Sequence, residues 1–231
     1  MRFEPFSMAS DLTPSTPVIY DRMQIDDIPA AVDLYVDSFP HRVSGWFRHR
    51  QHATCFYGDL FELMLGTHGA TCFSARHEGR LDGYLILTFP DRRLRAALWR
   101  NGLALRIAGH VLTGRFGWSS SLLTRAAVTL LRPDTLALGG PHVYVVAVAP
   151  ERRGQGIGSQ LLYRARAACM PRFRTLWLYA EVDNQRAVDL YRRLGFRIVE
   201  SDRVQHAMMW EFEEGALQPT SGKPQAAEGR P

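Results

Sequence analysis

Between residues 18 and 213 the apolar positions switch repeatedly between a period of two and a period near 3.6, which predicts strands alternating with helices. Residues 18–23, VIYDRM, read as a first strand. In the stretch 24–39, Ile28, Val32, Tyr35 and Val36 recur at helical spacing, with Asp26 or Asp27 placed to cap the helix. A second helix is expected through the fifties, where Leu60, Leu63 and Met64 share one side. Two apolar runs, 70–76 and 81–90, flank a polar turn containing Gly79 and predict a hairpin. Residues 142–150, HVYVVAVAP, are β-branched enough to predict a buried strand. A helix over 157–169, a strand over 174–182, a helix over 184–195 ended by Gly195, and two closing strands over 196–204 and 206–213 follow.

The order predicts a single mixed α/β domain over residues 17–214, with a hairpin in the middle and strand–helix alternation towards the C-terminus. Residues 1–16 and 215–231 are rich in Pro, Ser, Thr, Gly and Ala and read as flexible tails. Residues 91–140 interrupt the pattern. There Leu94, Leu98, Leu105 and Leu112 form one helical stripe, opposite Arg92, Arg95, Arg100 and Arg106. Residues 119–133 predict a second helix stopped by Pro133, so the segment reads as a helical hairpin packed beside the domain.

Composition narrows the classes. A chain of 231 residues with 46% hydrophobic and 22% charged residues is long and apolar enough for one sizeable core. Cys55, Cys72 and Cys169 have no CxxC spacing, which argues against a disulfide framework and a structural metal site. The N-terminal stretch lacks the apolar region of a secretory signal, and no run is long enough to span a bilayer; the expected location is cytoplasmic. The net charge of +5 is uneven. Residues 91–134 hold eight arginines and two aspartates, so that segment carries 8 − 2 = +6 and the rest about 5 − 6 = −1. A uniform nucleic-acid-binding surface is therefore not expected.

The candidate chemistry centres on VAVAPERRGQGIGSQLL, residues 146–162. A strand, a glycine-rich turn and a helix N-terminus form an anion site, because free backbone N–H groups and the helix dipole point at the same spot. Arg152 and Arg153 add positive charge. Gly158 is followed by Ser159 and Gln160 rather than by Lys, so the turn is not a triphosphate loop. Ser159 stands where a dinucleotide fingerprint needs its last glycine.

The stretch Arg153-Gly154-Gln155-Gly156-Ile157-Gly158 resembles the acyl-CoA signature of the GNAT superfamily of N-acetyltransferases. The preceding Val146, Ala147 and Val148 look like the strand that pairs with pantetheine in that family. Residues 176–196, with Asn184, Ala187, Leu190, Tyr191 and the Gly195–Phe196 pair, are similar to its second half. The resemblance implies a GNAT fold: a central, mostly antiparallel mixed sheet flanked by helices, with 91–140 inserted between its third and fourth strands. It implies acetyl transfer from acetyl-CoA to an amine, without a metal, through a tetrahedral intermediate that expels the CoA thiolate. Amides from Gly154 to Ser159 would hold the pyrophosphate, and an amide near Val148 would polarise the thioester oxygen. Tyr191 would be the general acid, and Asn184 would cap its helix or touch the cofactor arm. Tyr179 stands where many members carry a glutamate, which leaves Glu181, His142 or a water chain as the base.

The acceptor is not encoded in any motif. The arginines of 92–132 suit an acidic or phosphorylated amine, peripheral contact with an anionic membrane, or a lid or dimer surface; monomer and homodimer both remain open. The alternative to an enzyme is a catalytically silent acyl-CoA-binding or interaction module.

Overall fold

The computed structural model describes residues 17–90, 100, 102–113 and 140–212. The tails, Leu94, Leu98 and the helix expected over 119–133 lie outside the described residues.

A seven-stranded sheet organises the chain. Its strands are β1 (Ile19–Arg22), β2 (Ala70–His77), β3 (Arg80–Thr88), β4 (His142–Val148), β5 (Thr175–Glu181), β6 (Phe196–Ser201) and β7 (Gln205–Glu211). They lie in the order β1-β2-β3-β4-β5-β7-β6. Every pairing is antiparallel except that of β4 with β5. The helices are α1 (Ile28–Ser38), α2 (Pro40–Trp46), α3 (Arg50–Leu65), α4 (Leu103–Leu112), α5 (Ile157–Cys169) and α6 (Gln185–Arg193). No helix of the described residues is long and apolar enough to cross a membrane.

Two cores follow from the alternation of side chains across the strands. One face packs Val32, Tyr35, Tyr57 and Phe61 of α1 and α3 against Tyr84, Ile86, Val145 and Ala147. The other packs Ile157, Leu161, Leu162, Val188 and Tyr191 of α5 and α6 against Leu85, Leu87, Leu176, Leu178 and Met208.

The first helical stretch divides where the sequence reads as one. Pro40 has no N–H to continue the α1 ladder, so α1 stops at Ser38 and α2 starts anew. Asp27 occupies the N-cap position of α1 but makes no cap bond. Its carboxylate instead accepts the Gln24 N–H at 2.8 Å and pairs with Arg76, which clips the turn to β2.

The insertion's described helix, α4, docks on the outer face of α3. Arg106 pairs with Asp59, and the His110 ring meets Phe56 at 6.2 Å between centroids. Leu105 and Leu112 of the predicted stripe are 79% and 86% exposed, so these two leucines face outward.

Candidate active site

β4 and β5 are parallel neighbours that pair only at their starts, His142 with Trp177 and Val143 with Leu178. From Tyr144 onward, β4 has no ladder partner on that edge. On its other edge it stays paired with β3 up to Val148, opposite Gly83. The Ala149 N–H bonds to the Asp82 carbonyl on the β3 side at 2.8 Å. By the alternation of backbone groups, Val146 and Val148 turn their N–H and C=O groups to the open edge. A bulge at Tyr144, which has no partner between the Ile86–Val145 and Leu87–Val143 pairs, sets this phase. It puts Val145 and Ala147 into the α1–α3 core and leaves Val146 and Val148 against the α5–α6 core.

The glycine turn joins β4 to α5. Gly154 and Gly156 have φ of +83° and +81°, a left-handed backbone that side chains disfavour, and Gly156 is the N-cap of α5. The first bond of the helix runs from the Gln160 N–H to the Gly156 carbonyl at 3.0 Å, which leaves the amides of Ile157, Gly158 and Ser159 as outward donors. Gly158 is an ordinary helical position. A Cβ there would meet Val148 and Leu190 at 3.7 and 3.8 Å, normal contact distances, so the unliganded protein has no steric need for glycine at this point.

The arginines divide in a way the sequence does not reveal. Arg152 Nε lies 2.7 Å from an Asp82 carboxylate oxygen that is fully buried, and Arg80 approaches the other oxygen at 3.3 Å. The Arg152 contact is an ion pair without hydrogen-bond alignment, since neither atom has a hydrogen-bond partner. Arg152 is thus tied to the scaffold through Asp82. Arg153 Nε donates to the Val148 carbonyl at 3.0 Å, and its Nη2 lies 3.5 Å from Ser38 Oγ. Gln155 bonds the Glu151 carbonyl at 3.4 Å. Arg186 of α6, which sequence reasoning missed, reaches the turn: its Nη2 is 3.9 Å from where a Gly154 Cβ would stand.

Two of the residues expected to carry the chemistry, Tyr191 and Glu181, share Arg42 as a neighbour. Tyr191 is buried on α6 against Phe196, with ring centroids 5.8 Å apart. Burial pushes its phenol up to about 12, with Arg42 pulling the other way. Glu181 is the last residue of β5 and still pairs with Gln205, so it shares a face with Trp177 and Tyr179. Its Oε1 accepts from Arg42 Nε at 2.8 Å. Arg42 comes from α2, whose Val43 packs in the α1–α3 core, on the opposite side of the sheet from Tyr191. It was missed because it lies 139 positions from its partner in the chain. His142 opens β4 with its ring 5.3 Å from Tyr179, both ring nitrogens buried without a hydrogen-bond partner. Burial drops it to about 4, so the imidazole is neutral at pH 7. Asn184 Oδ1 accepts the Ala187 N–H at 3.2 Å and caps α6.

A mixed sheet that parts between two parallel strands, next to a glycine-capped helix N-terminus, defines an α/β protein with a mostly antiparallel sheet flanked by helices. The acetyltransferase (GNAT) family matches residues 28–196, and the chain belongs to that family. Mycothiol acetyltransferase of Mycolicibacterium gilvum is 42% identical over 86 residues, which cover 30% of this chain and 28% of that protein. Thialysine N-epsilon-acetyltransferase of Sus scrofa is 33% identical over 87 residues, 36% of this chain and 50% of that protein. The chain therefore spans half or less of the length of these relatives. Among solved structures, SsHAT superposes with a TM-score of 0.60 at 21% identity, over 87% of this chain and all of the other. Arabidopsis thaliana NAA60 in complex with acetyl-CoA gives 0.52 at 14% identity, over 84% and 98%. These likenesses establish the fold.

Proposed function

We propose that the protein is an N-acetyltransferase that uses acetyl-CoA as donor and a primary amine as acceptor. The observation that carries this reading is the open edge of β4. Val146 and Val148 turn backbone groups away from β3, in line with the free amides of α5, and the Val148 carbonyl is held there by a side chain, Arg153, instead of a strand, which suits a ligand with an amide-bearing arm and a pyrophosphate. Arg153 leaves the Val148 carbonyl when such an arm arrives. Ile157, Gly158 and Ser159 hold the phosphates with Gly154, Gln155 and Gly156, and Arg186 adds charge beside them. When acetyl-CoA is bound, its thioester accepts attack by the amine and the C–S bond breaks.

The chain's own groups then divide the work. The Val148 N–H stabilises negative charge on the carbonyl oxygen. Glu181 takes the proton that the ammonium group must lose. Tyr191 stays protonated at neutral pH and donates a hydrogen bond to the departing sulfur. Complete transfer from a phenol near 12 to a thiolate near 8.5 is uphill by about 5 kcal/mol, so hydrogen bonding carries its contribution.

Release of CoA thiol from acetyl-CoA across an amine panel tests the reading. Tyr191→Phe is expected to lower kcat about 10- to 100-fold while the KM for acetyl-CoA changes little. Unchanged kcat at every pH removes Tyr191 from the mechanism. Acetyl-CoA binding without thiol release from any amine would make the protein an acyl-CoA-binding module instead.

A further inference from the structure

The rim of the seam between β4 and β5 is polarised. Its α2 side is basic: residues 40–50 contain His41, Arg42, Arg48, His49 and Arg50 and no acidic residue. Arg50 is drawn off to Asp37 and Asp33, while Arg42 points across to β5. The β5–β7 side is acidic. Glu181 ends β5, and Glu200 and Asp202 lie close enough to Tyr179 to raise its phenol further than burial already does. Arg42 and Glu181 touch across this boundary at 2.8 Å, with side chains 39% and 37% exposed. An ion pair so exposed contributes little to stability, although the Phe39 ring also lies 5.4 Å from the Arg42 guanidinium. Its two members are therefore available to a ligand that replaces each with a group of the same kind.

Resting on the acetyltransferase reading, we propose that the Arg42–Glu181 pair reads the acceptor as an amino carboxylate, with Arg42 taking its carboxylate and Glu181 its ammonium group. The acceptor's carboxylate takes the place on the guanidinium that Glu181 holds, like for like. Glu181 is thereby released towards the ammonium group, whose proton it must accept before the nitrogen attacks. A guanidinium binds a carboxylate in a planar, two-bond geometry that fixes the amine's position relative to the seam. An α- or β-amino carboxylate carries its two charges side by side, as the Arg42–Glu181 pair does. A polyamine is disfavoured, because it frees Arg42 from Glu181 without giving it an anion and places a second cation beside it. A carboxamide loses the charge-assisted bonds.

The experiment compares kcat/KM, by thiol release with acetyl-CoA, for a set of amino acids, their carboxamides, putrescine, spermidine and phosphoethanolamine. The wild type is expected to prefer amino carboxylates about 10- to 100-fold over the matching carboxamides and over the polyamines. Arg42→Gln is expected to collapse that ratio towards one, mainly through the KM of the amino carboxylate, and Arg42→Lys to restore part of it. A wild-type ratio near one, a preference for phosphoethanolamine, or a ratio that Arg42→Gln leaves unchanged overturns the proposal while acetyl transfer itself stands. Silence towards every amino carboxylate in a protein that binds acetyl-CoA by calorimetry also overturns it. Loss of acetyl-CoA binding in the wild type defeats the acetyltransferase reading instead. If Arg42→Gln does not fold, the wild-type ratios and Arg42→Lys decide.

Discussion

Three glycines at alternate positions do two different jobs. Gly154 and Gly156 are required by their positive φ, whereas Gly158 has an ordinary helical backbone and room for a methyl group. A methyl at Gly158 meets Val148 and Leu190 at ordinary distances, so on the proposed reading the space that glycine leaves open is the donor's. Gly158→Ala is therefore expected to leave the unliganded protein as stable or up to about 1 kcal/mol more stable, because alanine is the better helix former. The same change is expected to weaken acetyl-CoA binding about tenfold or more. Gly156→Ala should do the reverse to stability, costing about 1 kcal/mol for the left-handed backbone. Urea unfolding and calorimetric titration of both variants separate these effects. Full affinity in Gly158→Ala removes that residue from the phosphate site.

At the scale of the element, β4 carries both the open edge and an unusual first residue. His142 is neutral in the fold because burial holds it near 4, against an ordinary value near 6.5 in the unfolded chain. The unfolded chain thus binds the proton first as pH falls. Stability is intact above about 6.5 and drops by about 3 kcal/mol as pH falls to about 4. His142→Leu is expected to flatten that part of the profile and to be neutral or stabilising at pH 7, since two unpartnered ring nitrogens leave the interior. Parallel slopes for the two proteins between pH 7 and 4.5 exclude His142 as the source. None of this is legible in HVYVVAVAP, where valine spacing predicts a buried strand but not the bulge at Tyr144 that phases its open edge. Strand and helix order was readable because periodicity is local. The glycine turn was readable because its spacing is. The split of Arg152 to Asp82, Arg153 to Val148 and Arg42 to Glu181 was not, because each depends on partners that only the folded sheet brings close.

Across the whole molecule, the parted strands divide the sheet into β1–β4 and β5–β7, joined in the ladder by two residue pairs and by the Trp177 N–H bond to the Pro141 carbonyl. α5 bridges the halves, touching β2, β3, β4 and β5. A ligand laid along β4 supplies part of the missing ladder and ties the two halves through a second route. CoA at about 100 times its dissociation constant is therefore expected to stabilise the fold by about 2.7 kcal/mol and to raise Tm by roughly 5–10 °C. The gain should be local in hydrogen exchange: the amides of Val146, Val148, Ile157, Gly158 and Ser159 slow most, while Ile19–Arg22 at the far edge follow only the global change. A groove between α3 and α4, lined by Cys55, Asp59, Arg106 and Thr113, is the competing site, and it lies on the outer face of α3. Protection by CoA that centres on residues 55–59 and 106–113 and spares β4 would move the donor site to that groove and sink the seam as the seat of the chemistry.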